Sequence, residues 1–298
     1  MLLTPYSFTF SAMASHCEVR VYAPDEAAAR GWSDAAIGEV RRIETKYSRY
    51  RDDSVTTAIN RAAAGGTPVN VDAETAGLLD FAAELHAQSD GAFDLTSGVL
   101  RRAWDFKAGR TPSQATLDQL LPRVGWSKID WRSPTLRLRD GMEIDFGGIG
   151  KEYASDRAAA IIVEMGGRHG LVNLGGDVRV IGPHADGQAW RVAVQDPRGE
   201  PGTTIAHLNV AHGAMATSGD YERYFVHEGR RYSHLLDPRT GWPVEHWRAV
   251  SVVAPLCIAA GACATVAMLS PVENALTFLE KQSVRYLAID SEGRRHSK

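Results

Sequence analysis

Residues 144–167 read IDFGGIGKEYASDRAAAIIVEMGG, and residues 169–182 continue HGLVNLGGDVRVIG. Together they spell strand, glycine loop, helix, strand, glycine loop, strand. The helix over residues 154–165 is closed by Gly166-Gly167, because glycine takes the left-handed turn that ends a helix at little cost. On either side strands and helices mix without a strict strand-helix-strand alternation. That pattern predicts an α+β fold with mixed or antiparallel sheets flanked by helices, rather than a doubly wound parallel sheet.

The flanks follow the same logic. Tyr6, Phe8 and Phe10 alternate as a strand, and residues 25–48 carry Ala27, Ala28, Ile37, Val40 and Ile43 at helical spacing. A polar turn, KYSRYRDDS (46–54), leads to a short helix ending near Asn60. Residues 71–89 and 112–121 read as further helices, and 91–98, GAFDLTSG, as a glycine-punctuated loop. Residues 136–145 read as strand, turn and strand around Asp140-Gly141. Beyond Trp190 come strands RVAVQD and TIAHLNV, the loop ATSGDYER, and the strand YFVHEG. Residues 249–272 hold no charge, yet the β-branched run stopped by Pro255 and the Ala-rich segment after it predict a buried strand and buried helix, not a membrane span.

The 298 residues carry 33 Lys+Arg against 36 Asp+Glu, a net charge of −3, with 44% hydrophobic residues and 28 glycines. This composition excludes disorder, collagen and coiled coil, and argues against a nucleic-acid partner, which needs a concentrated basic surface. Cys17, Cys257 and Cys263 form neither a disulfide framework nor a zinc motif and are expected to be small buried apolar groups. Residues 1–22 lack a basic segment followed by a continuous apolar run, so a cytoplasmic setting is expected.

Glycine-bearing polar clusters recur at 145–156, 173–177, 217–223 and 234–241. Glycine lets backbone approach a ligand and presents N–H groups that suit phosphate oxygens, above all where a helix starts next, as it does after Gly147-Gly148. Lys151 adds a compact positive charge at the head of that helix. With a near-neutral chain, phosphate binding is expected to rest on backbone N–H groups and a metal.

Taken together, FSAMASHCEVRVY (10–22), KYSRYRDDS with Asn60, GAFDLTSG with WDF (104–106), IDFGGIGKEYASDRAA, VNLGGDVRVIG, VQDPR (194–198), ATSGDYERYF (216–225) and RRYSHLLDPRTGWPV (230–244) resemble the FAD:protein FMN transferases, the ApbE family. The resemblance runs almost end to end. It implies one T-fold-related domain over residues 1–298, made of two packed lobes with a flavin cleft. It also implies transfer of the FMN half of FAD onto a Thr or Ser hydroxyl of an acceptor protein, with release of AMP. An FAD-binding carrier without transfer, or hydrolysis of FAD to FMN and AMP, are the alternative readings.

Carried over residue by residue, the resemblance makes His234 the general base or phosphate contact, an imidazole near neutrality being suited to take a hydroxyl proton. Tyr50 is the ring expected to stack on the flavin and Met13 the residue approaching the isoalloxazine, while Asp94, Thr96, Lys151, Asp177, Ser218, Gly219 and Asp220 are pocket residues. Asp237, Arg239 and Thr240 either hold a turn or touch the cofactor. The family's Mg²⁺ is held by a carboxylate and a hydroxyl one helical turn apart, and by a backbone carbonyl. Here Thr265 keeps the hydroxyl and Gly150 the carbonyl, but the carboxylate position is Gly261. Either a substitute carboxylate such as Asp145 or Asp177 or the substrate phosphates themselves are expected to make up for it, and Gly261→Asp is expected to raise the Mg²⁺ dependence or activity. Two further departures are Glu152, where the family has glycine, and Ala14-Ser15 for a usual Gly-Thr.

Overall fold

The computed structural model describes residues 3–200 and 202–298, so the first two residues of the expected 1–298 unit and Pro201 lie outside the description. Its strands are β1 (Thr4–Ala12), β2 (Ser15–Ala23), β3 (Val69–Asn70), β4 (Asp130–Arg132), β5 (Thr135–Arg137), β6 (Gly170–Leu174), β7 (Asp177–Gly182), β8 (Trp190–Gln195), β9 (Thr204–Val210), β10 (Gly213–Gly219), β11 (Tyr224–His227), β12 (Arg230–Ser233), β13 (Trp247–Ala254), β14 (Arg285–Asp290) and β15 (Arg295–Ser297). Its helices are α1 (Glu26–Tyr47), α2 (Val55–Ala62), α3 (Ala73–Gln88), α4 (Gln114–Leu120), α5 (Gly150–Glu164), α6 (Cys257–Met268) and α7 (Val272–Lys281). The α+β expectation holds.

Eight strands form one antiparallel sheet in the order β1-β2-β6-β7-β10-β13-β14-β15. Alternation sorts its faces. Val19, Val21, Val172 and Leu174 join Val40, Ile43, Ala158 and Ile162 in a core under α1 and α5, while Val250 and Val252 face α6. On the reverse face Val180, Met215, Val253 and Leu287 meet Trp190, Val194 and Val210 of the β8–β9 hairpin. Burial of this kind, about 25 cal/mol per Å² of apolar surface, holds α5 and α6 side by side on the sheet. Among the described residues no helix is long and apolar enough to cross a membrane, and residues 249–272 divide into β13, α6 and the start of α7.

Helix starts follow capping chemistry. Asp25, Ser54, Asp72 and Ser113 each accept a hydrogen bond from the backbone N–H three residues on, opening α1, α2, α3 and α4. The starts of α5 and α6 have no side-chain cap of their own, Ile149 and Leu256 standing at the cap positions. For α6 the partner comes from another helix: Asp156 of α5 accepts from the Cys257 and Ile258 N–H groups, both at 2.9 Å.

Three local expectations are corrected. Residues 142–146 form no strand, because their backbone groups pair elsewhere: Asn60 both donates to the Ile144 carbonyl at 3.0 Å and accepts its N–H at 2.8 Å, and Asp145 N–H donates to Leu95 O. Thus β5 pairs with β3 and β4 instead. The supposed loop at 91–98 winds into a 3₁₀ turn, Leu95–Arg102, around the Asp94 carboxylate. The first half of ATSGDYER is β10, an interior strand between β7 and β13 whose Thr217 and Ser251 hydroxyls pair at 2.8 Å. Its Thr-Ser-Gly composition hid it.

Candidate functional site

A cleft of about 400 Å³ opens where α5 begins, large enough for much of a dinucleotide. Its walls come from distant segments: Met13 to Ser15, Ser48 to Tyr50, Phe93 to Asp94, Asp145 to Gly148, Gly150 to Glu152, Thr217 to Gly219, Glu222 and Arg223, His234 to Leu236, and Thr265. Of the expected site residues it gathers Met13, Tyr50, Asp94, Gly150, Lys151, Ser218, Gly219, His234 and Thr265. The turn at Gly175 is positioned by close approach: its φ is +60°, and a Cβ there would lie 2.6 Å from Ser15 Oγ.

His234 is fixed by β12 running into the cleft. Its backbone N–H donates to the Arg223 carbonyl at 3.0 Å, and Nδ1 faces the same carbonyl at 3.3 Å. That contact assigns the ring proton to Nδ1 and leaves the Nε2 lone pair for a substrate. An isolated imidazole titrates near neutrality, but His234 is not in such a setting. Burial, with Arg101 and Arg223 nearby, pulls it down to about 4, so the ring is an unprotonated acceptor throughout the neutral range.

Lys151 Nζ lies 2.8 Å from Asp177 Oδ2, and this ion pair raises the lysine despite its burial, keeping it cationic. Asp177 also accepts from Thr217 N–H at 3.1 Å and is only 2% exposed. It stands behind the wall and holds Lys151 and β10. Tyr50 is 82% exposed at the rim, its ring uncovered on a chain whose other aromatic groups are mostly packed. Met13, with φ of 51°, is held by its N–H donating to Glu44 Oε1 at 2.5 Å.

Several expected contact residues make framework hydrogen bonds. Thr96 is fully buried and outside the cleft: its hydroxyl donates to Asp94 at 2.6 Å and accepts from Gly125 N–H at 2.7 Å. Asp94, at the cleft floor, is occupied by Thr96 and by the Trp126 N–H. Asp220 pairs through both oxygens with Arg198, at 2.7 and 2.6 Å. Asp237 accepts the Arg239 N–H at 2.8 Å, and Thr240 Oγ1 accepts the Trp242 N–H at 3.2 Å, so both side chains hold the 237–241 turn. Arg239 faces a separate open depression beside His86 and Val124.

The cleft also holds groups that no one sequence motif marks. Arg49, Arg101 and Arg223 line it, so local positive charge exists without a basic surface. Arg49 and Arg101 lie 3.0 and 3.2 Å from Asp145 Oδ2, and Arg49 reaches Glu143 at 3.0 Å. Only Arg223 lies in one of the glycine-bearing clusters; Arg49 stands in the polar turn 46–54 and Arg101 just beyond GAFDLTSG, with no pattern to join them. Asp145 and Asp177, the expected substitutes for the carboxylate missing at 261, are thus both paired with cations.

No group of three or more His, Cys, Asp or Glu side chains suited to a metal occurs among the described residues. A metal here would draw on mixed oxygen donors. The Thr265 hydroxyl, 3.0 Å from Ser218 Oγ, and Gly150 lie at the cleft, and with them Glu152, 8% exposed, with Oε2 lacking any hydrogen-bond partner. Burial raises the Glu152 pKa, with Asp177 reinforcing and Lys151 opposing. This donor chemistry suits a hard divalent cation.

The ApbE family model matches residues 13–288. The chain belongs to the ApbE family. A relative named FAD:protein FMN transferase from Haemophilus influenzae is 29% identical over 265 residues, covering 85% of this chain and 77% of its own. One of the same name from Treponema pallidum is 30% identical over 299 residues, covering 93% and 82%. The ApbE protein of Thermotoga maritima superposes with a TM-score of 0.92 at 30% identity, over 99% of this chain and 97% of that one. The apo flavinyl transferase ApbE of Pseudomonas stutzeri superposes at 0.88 and 27% identity, over 100% and 96%. The α+β architecture described above is therefore the ApbE fold.

Proposed function

We infer that this ApbE-family chain moves the FMN moiety of FAD onto a Thr or Ser hydroxyl of an acceptor protein and releases AMP. Residues 1–298 act as one flavinyltransferase unit of two packed lobes, a reading supported by cleft walls drawn from Met13 through Thr265. The observation that carries the function is His234. Its Nε2 is left free in the cleft that also holds Lys151, Arg101 and Arg223.

Tyr50 and Met13 hold the isoalloxazine at the rim, a ring face covering apolar area at modest entropic cost. Ser218, Gly219 and the glycine turn before α5 present donors to the pyrophosphate, where Lys151, Arg101 and Arg223 offset its charge. The acceptor hydroxyl oxygen attacks the FMN-side phosphorus, the bond to the bridging oxygen breaks, AMP leaves on that oxygen, and the hydroxyl proton passes to His234 Nε2. Mg²⁺, held by the Thr265 hydroxyl and the Gly150 carbonyl among others, would supply further neutralisation of phosphate charge.

Incubation with FAD, Mg²⁺ and a flavin-acceptor domain tests this reading. The expected result is a covalently fluorescent acceptor band with one AMP released per label. AMP and FMN without label would establish hydrolysis, and bound FAD without products would establish a carrier; either result would sink the transferase.

A further inference from the structure

Position 261 and position 152 compete for one volume. A Cβ built on Gly261 would lie 2.5 Å from Glu152 Cγ, 2.9 Å from its Cδ and 2.8 Å from Oε1, so the Glu152 carboxyl fills the place a side chain at 261 would take. Gly261 and Thr265 stand four residues apart on α6 and so share a face. A carboxylate delivered across from α5 into that volume therefore sits one helical turn from the Thr265 hydroxyl.

Other carboxylates at the cleft do not match it. Glu44 is taken by the Met13 N–H, Asp145 by Arg49 and Arg101, and Glu222 is exposed. Glu152 is more than nine-tenths buried, lines the cleft, and keeps Oε2 unpartnered. A buried carboxylate oxygen without a donor is costly and survives where something else satisfies it. Lysine does not do so here, since Lys151 is turned to Asp177.

We propose that Glu152 is the anionic ligand of a divalent cation at the FAD pyrophosphate, reaching from α5 into the space that Gly261 leaves on α6, with the Thr265 hydroxyl and Gly150 carbonyl as its companions. The proposal rests on the FAD-binding reading above and deepens it. Three protein oxygens, one of them charged, with the rest supplied by phosphate and water, is a donor set that suits Mg²⁺ or Mn²⁺. The two positions are reciprocal. Carboxylates at both collide, and with neither the site has no charge. On this proposal Gly261→Asp alone brings no gain in metal response, because Glu152 already occupies that space.

Mn²⁺ titration followed by the EPR signal of the free ion, on the full chain with and without FAD, tests this directly. Wild type is expected to take up one Mn²⁺ with FAD bound. Glu152→Gln is expected to weaken uptake by at least the roughly 10–100-fold that loss of a mere supporting residue costs a metal site. Gly261→Asp alone gives no gain, whereas Glu152→Gly combined with Gly261→Asp recovers binding relative to Glu152→Gly. Thermal midpoint and FAD fluorescence quenching report the fold and flavin capture separately. Wild-type uptake retained by folded Glu152→Gln, no recovery in the folded double variant, or no uptake by FAD-loaded wild type would each overturn the proposal while leaving FAD binding standing. Failure of wild type to quench FAD would overturn the reading beneath it.

Discussion

Asp156 and Glu152 lie one turn apart on the same helix, the first half-buried and the second buried, and they live by different rules. Asp156 has every interaction a buried acid requires: two backbone N–H groups of α6 and Arg179 Nε, all at 2.9 Å. Glu152 has an oxygen with none and opens onto the cleft. Within this pair, the difference sets the residue that joins α5 to α6 apart from the one that faces the cleft. Asp156 fixes the start of α6, whereas Glu152 combines an unsatisfied oxygen with a place on the cleft wall, and it is the combination that points to a ligand.

The largest expected effect lies on the ligand side. His234→Ala should cut FMN transfer by roughly 10²–10⁴-fold while FAD binding stays close to wild type, as titrated by flavin fluorescence. The same base predicts an acid limb of kcat/KM near pH 4 rather than near 6.5, since the free enzyme's imidazole is held at about 4 and is unprotonated above it. A limb at 6.5 would mean that His234 is not the group titrating. On the framework side, Asp156→Ala should cost about 1.5–3 kcal/mol in urea denaturation, as expected when a half-buried carboxylate that accepts two backbone N–H groups is removed. Glu152→Gln should change stability by less than about 1 kcal/mol, because it removes a charge with little protein compensation. Equal losses for the two would erase the distinction.

Tyr50→Ala should weaken FAD binding by roughly 2- to 12-fold, the equivalent of about 0.5–1.5 kcal/mol for an aromatic contact, with transfer at saturating FAD preserved. The smallest effect concerns Glu74, another framework acid. Arg42, then Lys46 and Tyr153, pull it from 4.5 to about 2 against the opposing effect of burial. Its stabilising contribution is complete above pH 4.5 and fades as pH falls toward 2. Glu74→Gln should flatten the dependence of the thermal midpoint on pH across that window.

Much of the fold was legible because local signals agreed with it. Asp25, Ser54 and Ser113 cap helices that periodicity already announced, and Gly166-Gly167 closes α5 as read. The errors arose where a side chain replaced backbone pairing, as Asn60 does for Ile144, or where a polar strand sat inside the sheet, as β10 does. The site was legible where chemistry clusters in sequence, at Lys151, Ser218 and His234. It was not legible where distant residues meet, as Arg49 and Arg101 do at Asp145, or where one residue fills the absence of another. Glu152 and Gly261 each read as a departure; only in three dimensions do they become one exchange.

Crystals of the FAD complex grown with Mn²⁺, measured at a wavelength that reveals the metal's anomalous signal, test that exchange most directly. The expected result is a single peak within about 2.5 Å of a Glu152 carboxylate oxygen, the Thr265 hydroxyl and the Gly150 carbonyl, beside the pyrophosphate. A metal held by Asp145 or Asp177 with Glu152 turned away, or FAD bound with no metal peak, would contradict it.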